Sequence, residues 1–485
     1  MRFWIRIVVI LISAVPLLAN AEGTAHSIST SVVREFISTI NENNKNKTKQ
    51  YISDNYYRRF LEAFPLDNHL NHTFHLHDQN GGLGIESISR IDDKRGFIRW
   101  SALVKSERTE AWSEFIVWFS ADKPEKIAGI QMRPASLSGI PDVSKNISQG
   151  KLKKELKSYL KRAAKKNVFS GTVLLAKGDR VIFTGAAGLA DKRFDVPNNT
   201  KTKFNLASMS KMFTAVAIMR LVEVGKLHLD DQLNKFIDES WLSPEISQKI
   251  QIKHLLSHTS GLGSFLNNTY EASAKDSFRD LDDYKILIKD ETLKFEPGAA
   301  YSYSNTGMFL LGLVIENVSG EDYFDYIRKH IYMPAGMANS GSFDMDQPTS
   351  NLATGYYFRD GWKNNRFLLS VKGGPAGGGY STAEDLYKFT LALINNRLLG
   401  KKFTEQLFVI NSELNAVNYG YGFRVFGEKN HRIVGHDGAF DGISTNLDVF
   451  LDQGYIAIVL SNYSQGAPPF VQKMRLLIAQ ATNEK

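Results

Sequence analysis

The chain has 485 residues, 43% of them hydrophobic, which is enough for two or more domains with their own cores. It contains no cysteine, which excludes disulfides, thiol catalysis, cysteine-ligated zinc and a lipid-modified N-terminal cysteine. The formal charge of +8 is modest for this length, and no recognisable nucleic-acid module accompanies it, so a nucleic-acid partner is not expected.

Met1 to Arg6 form a positive leader, Ile7 to Leu18 are a short apolar run, and Ala19-Asn20-Ala21 is a small-x-small site. That order predicts a secretory signal peptide at 1–21, cut after Ala21, and a mature protein in the periplasm or outside the cell. A retained membrane anchor is the alternative, although the run is too short to span a bilayer. No later run is long and apolar enough to do so.

Residues 22–136 read as a separate unit. Val33, Phe36, Ile37 and Ile40 give the stripe of an amphipathic helix. From Gly82 the pattern changes to period two, with strands expected near Leu83–Ile91, Phe97–Val104, Ala111–Phe119 and Lys126–Met132. Helices followed by a meander predict a small α+β domain. It resembles the curved-sheet cone fold of the nuclear-transport-factor-2-like group. Such a domain would hold a small ligand in its sheet or brace the larger domain after it. His69, His72, His75 and His77 fall close together, and His75 and His77 would share a face if this segment were a strand. That spacing invites a metal reading, but no acidic residue clearly completes a ligand set. No metal is expected.

Residues 137–150, with Gly139, Pro141 and scattered Ser and Asn, read as a linker. The second domain is expected over 151–485. Lys145 to Lys166 hold nine basic residues against Glu155 alone. Leu152, Leu156, Tyr159, Leu160 and Ala163 recur at helical spacing, so this is an amphipathic helix with a basic face. That face is either simply solvated or drawn to anionic envelope polymers. Strands follow at Gly171–Ala176 and Arg180–Thr184, and return at Gly422–Phe426, Gly442–Phe450 and Tyr455–Asn462. A last helix is expected from about Pro469 to Thr482. Both chain ends should therefore close one antiparallel sheet, with a helical middle lobe between them.

Three short motifs carry the chemistry. Ser208-Met209-Ser210-Lys211 opens an apolar stretch, Tyr303-Ser304-Asn305 lies downstream, and His436-Asp437-Gly438 comes near the C-terminus. On a helix, residues i and i+3 share a face, which puts Lys211 one turn above Ser208 and lets an amine take the hydroxyl proton. Ser120 to Lys123 and Ser158 to Lys161 repeat the Ser-x-x-Lys spacing. The first spans a strand end and a turn, and the second lies on the solvated basic helix. Only Ser208 precedes a run that is apolar on every side, the mark of a buried central helix. Its N-terminus offers free N–H groups and a positive dipole end.

With Phe204 to Lys211, His254 to Leu262, Pro297 to Asn305, Gly373 to Leu386 and Gly435 to Gly442, these motifs resemble the class C β-lactamase and penicillin-binding-protein-like serine hydrolases. That family also includes esterases and D-amino-acid peptidases. The resemblance spans roughly residues 150 to 480. It implies an α+β β-lactamase/transpeptidase-like fold, in which an antiparallel sheet is flanked by helices and joined to a helical lobe. By the same resemblance Ser208 is the nucleophile, and Lys211 and Tyr303 share the general-base and general-acid work. Asn305 orients Lys211 and the substrate carbonyl. The N–H groups of Ser208 and Ala439 form the oxyanion hole, on a strand with His436 and Gly438. No cofactor is implied. The expected partner is a small ester or a peptide, cell-wall-derived peptides among them.

One feature departs from the family pattern. β-Lactamases usually carry Lys-Thr-Gly where this chain has His436-Asp437-Gly438, and the lysine and threonine help hold a substrate carboxylate. A histidine is only partly charged near neutral pH, and an ionised Asp437 facing the cleft repels a carboxylate. The expectation is therefore an esterase or D-amino-acid peptidase rather than an efficient β-lactamase, although some peptidases of the family also carry a histidine here. A β-lactamase or DD-carboxypeptidase, and a non-catalytic binder of peptidoglycan fragments, remain the alternatives. The glycines of Gly373 to Gly379 lack the ending of a phosphate loop and should let backbone approach the cleft. A capping box is expected at Ser381 to Glu384. His258 is expected to be a structural loop histidine rather than a base.

Overall fold

A computed structural model describes residues 22–94, 96–141, 143–342, 345–427 and 431–482. The leader and its cleavage site at Ala21 lie outside the described residues. The chain divides into a smaller unit before Ile147 and a larger one over Ile147–Met474, and residues from Arg475 onward group with the smaller unit. No helix among the described residues is long and apolar enough to cross a membrane.

The smaller unit begins with helices α1 (Glu22–Glu42), α2 (Lys45–Asn55), α3 (Arg58–Ala63) and α4 (Leu66–Asn80). An antiparallel meander comes next, of β1 (Leu83–Lys94), β2 (Phe97–Ser106), β3 (Trp112–Ser120) and β4 (Lys123–Pro134). The core joins Val33, Phe36, Ile37 and Ile40 of α1 to Trp100, Ala102 and Val104 of β2 and Phe115, Val117 and Phe119 of β3. The period-two spacing on each strand is what turns those residues to one face.

The four clustered histidines lie on α4, so the shared strand face suggested for His75 and His77 does not exist. Leu70, Thr73, Leu76 and Asn80 are buried at helical spacing, and Gly81 ends the helix in the left-handed conformation, so period 3.6 wins here over period two. His69 bonds the Phe60 carbonyl, His77 the Ile40 carbonyl, and His75 accepts from Gln79. Among the described residues no cluster of three or more His, Asp or Glu side chains is placed to hold a metal ion.

The larger unit starts with α5 (Gln149–Lys165), whose buried residues are Leu152, Leu156, Tyr159, Leu160 and Ala163. The decoy Ser158 is exposed on its outer face. Next come β5 (Gly171–Lys177), β6 (Arg180–Ala187), the central helix α6 (Ser210–Glu223), α7 (Asn305–Ser319) and α8 (Ala383–Ile394). The chain closes with β7 (Arg424–Phe426), β8 (Ile433–Phe440), β9 (Ile443–Phe450), β10 (Tyr455–Ser461) and α9 (Ala467–Thr482). The sheet order is β7-β8-β9-β10-β5-β6, every neighbouring pair antiparallel. First and last segments therefore pair across the sheet, with Ser461 opposite Gly171, and the helical lobe is inserted between them.

Three local differences from the sequence expectations stand out. Residues Ile433–Phe440, read only as a motif, form a full strand. Gly422 stays outside β7, which begins at Arg424. The cap of α8 is Thr382, whose side chain accepts from the Asp385 N–H, one residue later than expected, because Ser381 is taken up by Ser340.

Helix α6 is buried from Ser210 to Met219 and again at Leu221, as an all-apolar surface requires. It packs against α7, and Lys211 in its first turn meets Asn305 at the start of α7. At the β5–β10 seam, a side chain on Gly171 would collide with the Leu460 carbonyl, whereas Gly178 in the β5–β6 turn faces open space. Gly171→Ala is expected to destabilise the protein by more than about 2 kcal/mol. Gly178→Ala should cost only about 1 kcal/mol of backbone strain. Urea unfolding midpoints of the two variants check this, and equal shifts would contradict it.

Candidate functional site

The turn before α6 is fixed before the helix begins. Ala207 adopts φ +46°, a conformation costing roughly 1–2 kcal/mol for a residue with a Cβ. Its surroundings hold it there. The Ala207 N–H donates to Asn205 Oδ1 at 2.9 Å, Leu206 N–H to the Gly379 carbonyl at 3.0 Å, and Gly378 N–H to the Ala207 carbonyl at 3.2 Å. Ser208 is half-buried on the 3-10 turn Ala207–Met209 that leads into α6.

Lys211, one turn on, has no exposed surface. Its Nζ lies 3.2 Å from Ser208 Oγ and 2.9 Å from Asn305 Oδ1, and it donates to the Ala376 carbonyl. The last two partners are acceptors only. Asn305 Nδ2 donates to Ser264 Oγ at 3.0 Å, which turns Oδ1 toward the amine. With two N–H bonds committed, the remaining tetrahedral position of the nitrogen faces Ser208. It carries a proton when the amine is charged and a lone pair when it is neutral, which is the arrangement a base needs on a hydroxyl.

Tyr303 stands beside the same pair, its ring centroid 4.9 Å from Lys211 Nζ. Burial holds its phenol well above the ordinary value, with Ser208 pulling the other way. At neutral pH it is a protonated phenol and therefore a proton donor. The structure brings Ser208, Lys211 and Asn305 into one hydrogen-bonded group, with the Tyr303 ring packed against its amine.

His436, Gly438 and Ala439 lie on β8, beside the serine turn. A side chain on Gly438 would strike the Leu206 carbonyl, and Thr445 Oγ1 of β9 donates to that same carbonyl at 3.1 Å. This close approach is why a glycine is needed there. Ala439 is the next residue along the strand.

His436 does not face substrate as a partly charged group. Its Nδ1–H donates to the Asp437 carbonyl, so Nε2 must accept, and Tyr419 donates to it at 2.9 Å. Burial pushes the imidazole far below its ordinary value, and the ring is neutral. Asp437 pairs with Arg424 of β7, whose guanidinium carbon is 5.9 Å from the Tyr303 ring centroid.

Sequence reasoning missed Arg424, Ser264 and the Ala376 carbonyl. Only Ala376 had a signal, since it sits within the glycine run already singled out. That run wraps the serine turn, with Gly378 also accepting from Ser210 Oγ.

Burial lowers the pKa of five histidines among the described residues, His69 among them. His72 and His254 are held down to about 4, and His258 and His436 are also pushed well below the ordinary value. An unfolded histidine takes a proton near 6.5 and these folded ones refuse it, so the unfolded state binds more protons. Stability is then full above about pH 6.5 and falls as pH drops toward 4, by up to about 1.4 kcal/mol per pH unit for each histidine. The urea midpoint is expected to be clearly lower at pH 5 than at pH 7, and less so in His436→Gln. Equal midpoints at the two pH values would contradict this.

The family described as Beta-lactamase matches residues 156–482, which leaves the helices and meander of the smaller unit outside the match. A penicillin-binding protein of Bacillus subtilis (strain 168) is 30% identical over 330 residues, covering 64% of this chain and 72% of the relative. The crystal structure of a penicillin binding protein from Bacillus halodurans superposes with a TM-score of 0.60 at 32% identity, covering 68% of this chain and 99% of that one. D-amino acid amidase from Ochrobactrum anthropi SV3 shares the fold at 21% identity, with a TM-score of 0.58 over 67% of this chain and 98% of its own. The chain belongs to the Beta-lactamase family of serine hydrolases.

Proposed function

We propose that the protein is an exported serine hydrolase that cleaves esters or amides, D-amino-acid peptides among them, through an acyl-Ser208 intermediate. The observation that carries this reading is the 3.2 Å contact between Ser208 Oγ and a buried Lys211 amine, with the Tyr303 ring 4.9 Å from that amine.

In the first half of the reaction, Ser208 Oγ bonds to the substrate carbonyl carbon as its proton passes to Lys211 Nζ. The N–H groups of Ser208 and Ala439 receive the oxyanion, each such donor being worth about 3–4 kcal/mol in the transition state. As the tetrahedral species collapses, the C–O or C–N bond breaks. The leaving group takes the Tyr303 hydroxyl proton, which Lys211 replaces. Water then attacks the acyl ester, its proton following the same amine and phenol back to Ser208 as the acid departs.

Charge supports a substrate without a carboxylate at the β8 wall. His436 is neutral and Asp437 is matched by Arg424, so that wall offers no lysine of the kind that β-lactamases usually present. The likeness to penicillin-binding proteins makes a penicillin a suitable probe of the serine. The leader segment supports export, and the smaller unit is assigned as an accessory domain.

A labelled penicillin or a serine-reactive phosphonate is expected to modify Ser208. Ser208→Ala should lose both adduct and turnover, and Ser158→Ala should keep them. Unchanged turnover in Ser208→Ala rejects the reading. Across nitrocefin, short-chain aryl esters and D-alanyl peptides, kcat/KM for an ester or peptide should exceed that for nitrocefin by about tenfold or more. Binding of peptidoglycan fragments by the intact protein with neither adduct nor turnover would mark a binding protein instead.

A further inference from the structure

His258 is a buried titratable group in contact with Tyr303 that the reaction scheme does not use. It has no exposed surface, and it holds φ +59° at the end of the one-turn helix Ile252–Leu256. Its backbone carbonyl accepts the Ser302 N–H at 2.9 Å. Its ring Nδ1 accepts the Ser304 N–H at 3.1 Å. These two peptide groups flank Tyr303 on either side. Between them the imidazole packs on the phenol ring itself, with centroids 4.2 Å apart, and on Tyr419 at 4.4 Å.

The tautomer is set by these contacts. Nδ1 accepts from a backbone N–H, so the neutral ring carries its proton on Nε2, and that buried N–H finds no hydrogen-bond partner among the described residues. A loop histidine selected only to close a turn would be expected to pair both nitrogens or reach solvent. Here one nitrogen and one carbonyl hold the peptide groups on either side of Tyr303, the ring packs on its phenol, and the other nitrogen is left without a bond. The Ser304 contact also reaches the site's second arm, because Ser304 caps α7 by accepting from Gly307 N–H at 2.8 Å and directly precedes Asn305.

We propose that His258 is a positioning residue for Tyr303, a clamp that sets the phenol's distance and angle to Ser208 and Lys211. The proposal rests on Tyr303 being the proton donor of the reaction. A misplacement of about 1 Å in a proton-transfer group costs on the order of a hundredfold in rate, so the clamp acts on the chemical step rather than on substrate affinity. Each half of the clamp is separable. Asparagine tolerates positive φ and places an amide oxygen near the position of Nδ1, so it retains both backbone contacts without the ring. Glycine suits the same backbone with no strain and keeps the carbonyl contact alone.

The test is a double-mutant cycle on the full-length protein, with acylation by a labelled penicillin or phosphonate and kcat and KM on an aryl ester as readouts, and thermal midpoints recorded in parallel. His258→Gly is expected to lower the acylation rate and kcat by roughly 30- to 100-fold with KM changed less than about threefold. His258→Asn should recover most of that loss. In a Tyr303→Phe background, His258→Gly should add less than about threefold, since a clamp has nothing left to position. Equal losses in the two backgrounds, or His258→Asn as slow as His258→Gly at the same thermal midpoint, would overturn the clamp and leave Tyr303's role standing. Full acylation by Tyr303→Phe alone would overturn both. If His258→Gly does not fold, the comparison of His258→Asn with and without Tyr303→Phe decides in the same way: a loss that disappears in the Tyr303→Phe background supports the clamp, and a loss that persists refutes it.

Discussion

An amine with no contact to water has to be given hydrogen-bond partners from within the protein, because an unpaired buried charge or donor is costly. Lys211 is in that position, since α6 is buried around almost its whole circumference. Its partners come from three separate stretches of chain: Ser208 one turn back, Asn305 at the start of α7, and the Ala376 carbonyl in the glycine-rich loop. The sheet, the helical lobe and the loop must all be in place before those acceptors meet. The proposed catalytic arrangement and the satisfaction of a buried polar group are therefore the same requirement. Both acceptors other than the serine lack protons to give, so the amine's remaining valence is directed at the hydroxyl.

The ring cluster around Tyr303 obeys a related logic. His258, Tyr303, Tyr419 and His436 contact one another in a chain, and burial keeps both imidazoles neutral and both phenols protonated. In the proposed reaction, a second cation in this cluster would repel the proton that Lys211 takes from Ser208. The one cation that does stand nearby among the described residues of this wall, Arg424, is matched by Asp437. The wall is thus electrically quiet, and in the proposed reaction differences in charge fall mainly on Lys211 and the oxyanion donors.

Much of this architecture is legible from periodicity. The meander of β1 to β4, the basic amphipathic α5 and the all-apolar α6 each announce themselves through regular spacing of large apolar side chains. Strand β8 does not, because Gly435, His436, Asp437 and Gly438 interrupt its alternation, and its burial is dictated by the neighbours β7 and β9 and by the serine turn. Helix α4 is hard to read over His75 and His77 for the opposite reason: its apolar face is thin, with Thr73 and Asn80 buried among the leucines, so the helical period is lost among polar residues.

The sequence by itself singled out side chains that meet: a serine and lysine three residues apart at the mouth of a buried helix, and a tyrosine and asparagine two apart. Local spacing encodes such facts because helix and strand geometry are fixed by the backbone. Tertiary structure alone decided the charge and direction of those groups. That Asp437 is neutralised by Arg424, that His436 is turned to Tyr419, and that Ala376 offers its carbonyl to Lys211 all depend on residues 13, 17 and 165 positions apart. Nothing in the local chain relates such positions until the core has closed around them.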